Sequence, residues 1–168
     1  MYVMRIASRL IMVRNNQLLV MHRNKFGSEY YALIGGGVDP GENPMHALTR
    51  EVREETGLMI ANPKLVYIEE AGKPYGTQYI FTADYVSGEP VLSPDSDESK
   101  IHNLGSNLYK PEWLDIDRLP SVPFLSKELK NLLVRDLKDG FPNEPIKFSS
   151  SANYEESNEL NGEQYGQN

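Results

Sequence analysis

The sequence predicts one α/β domain. Three observations point there. Short runs of branched and aromatic residues recur along the chain, punctuated by Asn, Gly and Pro, which is the pattern of strands and turns. Two longer segments carry apolar residues at helical spacing with capping residues at both ends. The 168 residues, 39% hydrophobic and 24% charged, suffice for a single buried core.

The elements follow in order. Leu10 to Val13 and Leu18 to Met21 are apolar runs separated by "RNNQ", whose Asn15 and Asn16 tolerate turn geometry, so a β-hairpin is expected. "NKFGSE" (residues 24–29) reads as a loop and "YYALI" (30–34) as a strand. Gly35, Gly36 and Gly37 with "VDPGE" (38–42) read as a turn-rich loop. Asn43 then suits a helix N-cap, Pro44 the first helical position and Gly57 the position beyond the end. Met45, Leu48 and Val52 supply a core-facing stripe, so a helix over about Pro44–Thr56 is expected. Strand patterns return at 64–69 and 77–85, with "VSGEP" (86–90) as a turn. Residues 93–107 form a polar, acidic loop, long enough to be functional or disordered. A short strand is expected around Trp113. A second helix follows over 126–140, with Ser126 as its cap, Leu129, Leu132, Leu133 and Leu137 as its apolar face and Gly140 as its stop. The domain is expected to span 1–145. From Ile146 the chain is rich in Ser, Asn, Glu, Gln and Gly and too poor in aliphatics to offset ordering entropy, so 146–168 is expected to be a disordered tail.

Composition narrows the function. The net charge is −7, which argues against a general binder of long nucleic acids. A small phosphorylated ligand stays compatible, because a bound cation reverses the local field. There is no cysteine, so disulfides, thiolate catalysis and cysteine-held metals are excluded. Arg5, Arg9 and Arg14 break the apolar runs of the N-terminus, which does not read as a signal peptide, and no stretch is long enough for a membrane span. A cytoplasmic location is the expectation.

The chemistry concentrates in the first helix. Glu51, Glu54 and Glu55 fall within an arc of roughly 100°, beside the apolar stripe, while Arg53 faces away and Arg50 stands one turn before Glu54. Like charges at this spacing repel. One reading is a solvated, charge-laced face with an Arg50–Glu54 pair. The other is a site for a hard divalent cation, since carboxylate oxygens suit Mg²⁺, Mn²⁺ or Ca²⁺.

The upstream residues weigh on that choice. Gly36-x5-Glu42-x7-Arg50-Glu51-Val52-x-Glu54-Glu55-x-Gly57-Leu58 resembles the Nudix hydrolase (MutT-like) signature G-x5-E-x7-R-E-U-x-E-E-x-G-U at every specified position, U being apolar. The order of elements around it is similar too, over about residues 5–139. The resemblance implies an α/β/α sandwich with a mixed β-sheet between helices. It implies Mg²⁺-dependent hydrolysis (Mn²⁺ as an alternative) of a nucleoside diphosphate linked to another group, such as a nucleoside triphosphate or ADP-ribose. Glu54 and Glu55 would be the main metal ligands, Glu51 a third ligand or the base, and the Gly36 carbonyl a further ligand. Glu42 and Arg50 would pair and hold the helix against the loop. Gly35, Gly36 and Gly37 would line the substrate site, and Arg23 would contact substrate phosphates. Glu98, with Asp95 and Asp97 as rivals, would be a further catalytic acid from the long loop, an extra metal ligand or the base. His22, Trp113, Tyr30 and Tyr31 read as structural, and Phe124 as a weak candidate for the pocket wall. Ile34 stands where many relatives have proline, a departure that touches no ligand. The partners implied are a small nucleotide-type substrate, no long nucleic acid, no membrane and, by analogy, a possible homodimer. A non-catalytic nucleotide sensor on the same fold is the alternative; retention of all three glutamates favours the enzyme.

Overall fold

The computed structural model describes residues 5–91 and 107–150. Its elements are β1 (Ile6–Ile11), β2 (Val13–Arg14), β3 (Gln17–Lys25), β4 (Ser28–Ala32), β5 (Ile34–Gly37), α1 (Pro44–Thr56), β6 (Met59–Glu70), β7 (Thr77–Ser87), β8 (Asn107–Asp115), a 3-10 turn (Ile116–Ser121), β9 (Phe124–Leu125), α2 (Lys127–Asp139) and β10 (Ile146–Ser149). The strands form two mixed sheets. One runs β10-β6-β7-β1-β5, and the other runs β2-β3-β4-β9 with β8 also paired to β3.

Strand periodicity explains the layering. Successive side chains of a strand face opposite sides. Leu10, Met12, Leu19, Met21 and Ile34 accordingly enter one core, shared with Leu48, Val52 and Leu58 from α1 and its C-terminal flank. Their immediate neighbours Ile11, Leu18, Val20 and Leu33 enter a second core with Leu129 and Leu133 of α2. The sheets therefore lie between the two helices, as the α/β/α expectation required.

Several local expectations hold. Asn15 and Asn16 both have positive φ, 53° and 60°, and turn β2 into β3. Asn43 accepts a hydrogen bond from the His46 backbone N–H at 2.9 Å, and Gly57 closes α1 in the left-handed region at φ 74°. Ser126 caps α2 by accepting from the Leu129 N–H at 3.2 Å.

Others are corrected. "NKFGSE" is not an open loop: Asn24, Lys25, Ser28 and Glu29 pair in the β3–β4 ladder, and Phe26 and Gly27 alone make the turn. The 30–34 strand breaks at Leu33, where the chain leaves one sheet for the other. Gly35, Gly36 and Gly37 are a strand, paired with Arg9, Ser8 and Ala7. Met45 is 46% exposed, whereas Ala47, Leu48, Val52, Glu55 and Thr56 are buried. The buried face of α1 is rotated toward the glutamates because it rests on the glycine strand β5, whose missing side chains leave room for them. Ile146–Ser149 does not belong to a disordered tail: it adds a parallel strand to β6, and Phe148 meets the Tyr67 ring edge-on at 6.2 Å. Ladder pairing and that aromatic contact supply the burial that its polar surroundings conceal. The rest of the expected tail, 151–168, lies outside the described residues, as do residues 92–106, with Asp95, Asp97 and Glu98 among them.

Candidate active site

The site forms where α1 crosses β5. Ser8 Oγ donates to the Pro44 carbonyl at 2.7 Å and ties the start of α1 to β1. Gly36 then lies directly under the Glu51 carboxylate, so close that a Cβ there would stand 2.5 Å from it. One turn on, Glu55, 5% exposed, accepts the Gly35 N–H at 3.1 Å. A charged group so buried needs such partners.

Arg50 answers why three glutamates can share one face. Its guanidinium makes a two-pronged contact with Glu42, 2.9 Å on each prong. It also donates to Glu51 at 2.9 Å, to Glu54 at 3.4 Å and to the Gly37 carbonyl at 3.0 Å. The guanidinium thus offsets the repulsion and binds the helix to the loop that precedes it. It holds the Glu42 carboxyl well below its ordinary 4.5, at about 2.

These residues border a pocket of about 290 Å³. Glu51, Glu55 and the three glycines line it together with Arg9, Gln78 and Glu69. Glu69 is 4% exposed and accepts the Ser126 hydroxyl at 2.5 Å. Burial pushes its carboxyl up, against the pull of that hydroxyl and of Arg9. Arg9, in turn, donates from Nε to Gln78 Oε1 and from Nη1 to the Gly35 carbonyl, both at 2.9 Å.

The model of the NUDIX domain matches residues 4–135. The chain belongs to the Nudix family. It is 30% identical over 114 residues to an NAD-capped RNA hydrolase, NudC, of Stutzerimonas stutzeri, a match covering 68% of this chain and 37% of that protein. The chain thus spans little more than a third of the length of the curated relatives it matches. Among solved structures it is similar to the mutator MutT protein of Bacillus halodurans, with a TM-score of 0.63, 21% identity, and coverage of 86% of this chain and 89% of that one. It is similar also to an ADP-ribose pyrophosphatase of Streptococcus suis, with a TM-score of 0.61, 16% identity, and coverage of 87% and 100%. At these identities the structural likeness shows the fold.

The Nudix box is assembled unevenly. Glu51, Glu55, Gly35, Gly36 and Gly37 share the pocket, as does Arg23. The Glu54 side chain, 51% exposed, sits on the outer side with Arg50. Among the described residues no three carboxylate or imidazole groups converge on one point. The donor chemistry nevertheless fits a hard cation: every candidate is an oxygen, and the Gly36 cradle that a Cβ would fill keeps the Glu51 carboxylate against the backbone.

Other expectations are settled by packing. Phe124, 1% exposed, belongs to the α2 core and not to the pocket wall. Tyr31 is core and stacks on His22 at 4.6 Å, and Trp113 packs against the α1 core. Tyr30 is buried, yet it also borders the pocket. Sequence reasoning did not place Arg9, Glu69, Gln78 or Ser126 in the site. The available signal was polar residues set inside apolar strand patterns, which three of the four show.

Proposed function

We propose that this chain hydrolyses the pyrophosphate bond of a nucleoside diphosphate linked to another group, with Mg²⁺ or Mn²⁺ as cofactor. The observation that carries the reading is the meeting of Nudix-box carboxylates, a bare glycine strand and arginines at one pocket. Its volume of about 290 Å³ suits a nucleotide-sized group. NAD and ADP-ribose, which figure in the names of similar proteins, each contain a nucleoside diphosphate joined to a second group.

Glu54, Glu55 and the Gly36 carbonyl would hold the metal. When bound, the ion neutralises pyrophosphate charge and lowers the pKa of water. Glu54 would need to turn from Arg50, a 3.4 Å contact at the surface that costs little to give up. Glu42 and Arg50 keep the loop and helix in register. A carboxylate takes the proton from the attacking water, and Glu51, facing the pocket beside Gly36, is the residue assigned that task. Water oxygen bonds to phosphorus, the bridging P–O bond breaks, and two phosphorylated products leave.

The test is a substrate panel with Mg²⁺ and with chelator: nucleoside triphosphates, ADP-ribose, nucleotide sugars, dinucleoside polyphosphates, NAD and an NAD-capped RNA oligonucleotide. The panel includes RNA because of the NudC relatives, despite the −7 net charge. Metal-dependent release of a nucleoside monophosphate from one class establishes the activity. A folded, metal-binding protein that turns over none of them overturns it in favour of a sensor.

A further inference from the structure

We infer that Arg9, not Arg23, is the arginine that grips the phosphates of the substrate. The inference rests on the hydrolase reading and adds to it a residue outside the Nudix box.

Arg5, Arg9 and Arg23 line the pocket, with Arg50 behind the box glutamates. Arg23 donates from Nε to the Leu108 carbonyl at 3.0 Å and from Nη2 to Asn107 Oδ1. Its guanidinium lies 3.6 Å over the Tyr109 ring and 5.7 Å from that of Tyr30. These contacts bind it into the start of β8 as a brace between strands. Arg50 is engaged by Glu42, Glu51 and the Gly37 carbonyl.

Arg9, like Arg23, donates to two neutral oxygens, here those of Gln78 and Gly35, and it is set apart by lying against the glycine strand instead of against the start of β8. Gln78 is itself fixed, donating to the Tyr75 carbonyl at 2.6 Å. The plane of the guanidinium is therefore set, its charge is kept, and two of its five N–H groups are in use. Burial pulls its pKa down and Glu55 pulls it back up, and arginine stays protonated throughout.

Position completes the argument. Gly35 links Arg9 to the box: its N–H goes to Glu55 and its carbonyl receives Arg9. The guanidinium and the Glu55 carboxylate are therefore held by the same residue, Gly35. A pyrophosphate entering there meets the Glu51 and Glu55 carboxylates, which repel it. A fixed fork of N–H donors offsets that repulsion and matches two phosphate oxygens at once. A purely structural role is not required of Arg9, because β1 already pairs with β7 from Ile6 to Ile11.

The test uses inorganic pyrophosphate and α,β-methylene-ADP, which cannot be cleaved at the bridged position, with binding read by calorimetry in the presence of Mg²⁺. Arg9→Gln is expected to weaken binding of both probes at least tenfold, and Arg9→Lys to recover part of the loss. Arg23→Gln is expected to shift affinity less than threefold. Melting curves accompany each variant. If Arg9→Gln does not fold, Arg9→Lys decides alone: it retains the charge but not the fork, and at least a threefold loss of affinity is expected. Affinity within twofold of the parent protein in a folded Arg9 variant overturns the inference. So does a larger loss in Arg23→Gln than in Arg9→Gln. Binding of the probes without turnover of any panel substrate would sink the hydrolase reading and leave Arg9 standing as an anion-gripping residue. Binding of neither probe by the parent protein would overturn both.

Discussion

Replacing Gly36 by alanine should separate catalysis from folding. Gly36 lies in β5 with ordinary extended geometry, so the backbone accepts an L side chain. The new Cβ would stand 2.5 Å from the Glu51 carboxylate, about 1 Å inside normal contact. The obstruction is the far end of a flexible side chain, which can swing away. Doing so gives up the 2.9 Å contact with Arg50, worth at most about 1 kcal/mol at a partly exposed site. Alanine returns about 0.4–1 kcal/mol by restricting the unfolded chain. The two nearly cancel, so the melting temperature should stay within about 3 °C of the parent value. Activity should respond quite differently, because a displacement of 1 Å at a reacting group can cost about 10²-fold. The assay pairs a thermal melt with initial rates of monophosphate release. Activity within threefold of the parent would refute the placement of Glu51 at the chemistry. A fall in melting temperature beyond about 8 °C would refute the claim that the side chain, and not the backbone, absorbs the clash. Gly35→Ala is the contrasting control. Its Cβ would meet the Ser8 carbonyl oxygen at 1.9 Å, at φ +148°, so the β1–β5 ladder must open and the variant should fail to fold.

Further outcomes are expected. Glu54→Gln should lower kcat by 10²-fold or more while moving the melting temperature by no more than about 2 °C, since its ion pair with Arg50 is exposed; rates and melts on the same preparation check both halves. Glu42 has its pKa depressed in the folded state, so its contribution is present above the ordinary 4.5 and is lost as pH falls toward about 2. Denaturant midpoints measured over that window should drop less steeply in Glu42→Gln than in the parent, and parallel curves would show that the Arg50 pairing does not support the fold. A chain ending at Ser150 should melt more than about 5 °C above one ending at Glu144, because Ile146 and Phe148 each bury roughly 1–2 kcal/mol of apolar surface against the α2 core. Equal melting temperatures would mean that β10 adds nothing to the domain.

The parts of this protein legible in the sequence are those governed by near neighbours. Asn43, Pro44 and Gly57 mark α1 because caps act over three or four residues. Asn15 and Asn16 mark a turn because their left-handed geometry is a property of the residues themselves. The Nudix box is legible for the same reason: its spacing is the spacing of a loop and the helix that follows it. Reading failed where pairing across the chain decides. Gly35, Gly36 and Gly37 look like a turn, and only the ladder with Arg9, Ser8 and Ala7 makes them a strand. Phe148 looks stranded in a polar tail until Tyr67 and β6 are placed beside it.

The family signature and the helix that carries the glutamates were therefore readable from the sequence alone. Which glutamates face the pocket was decided by the tertiary structure, because the bare β5 strand draws the buried face of α1 round toward Glu51 and Glu55 and leaves Glu54 outside. The other residues of the pocket were decided there too. Arg9, Glu69 and Gln78 come from β1, β6 and β7, and Ser126 from the cap of α2. No local rule relates residues so far apart along the chain. They meet because the sheet sets those strands side by side, and a hydrogen bond such as Arg9 to Gln78, 69 residues apart, exists only once that sheet has formed.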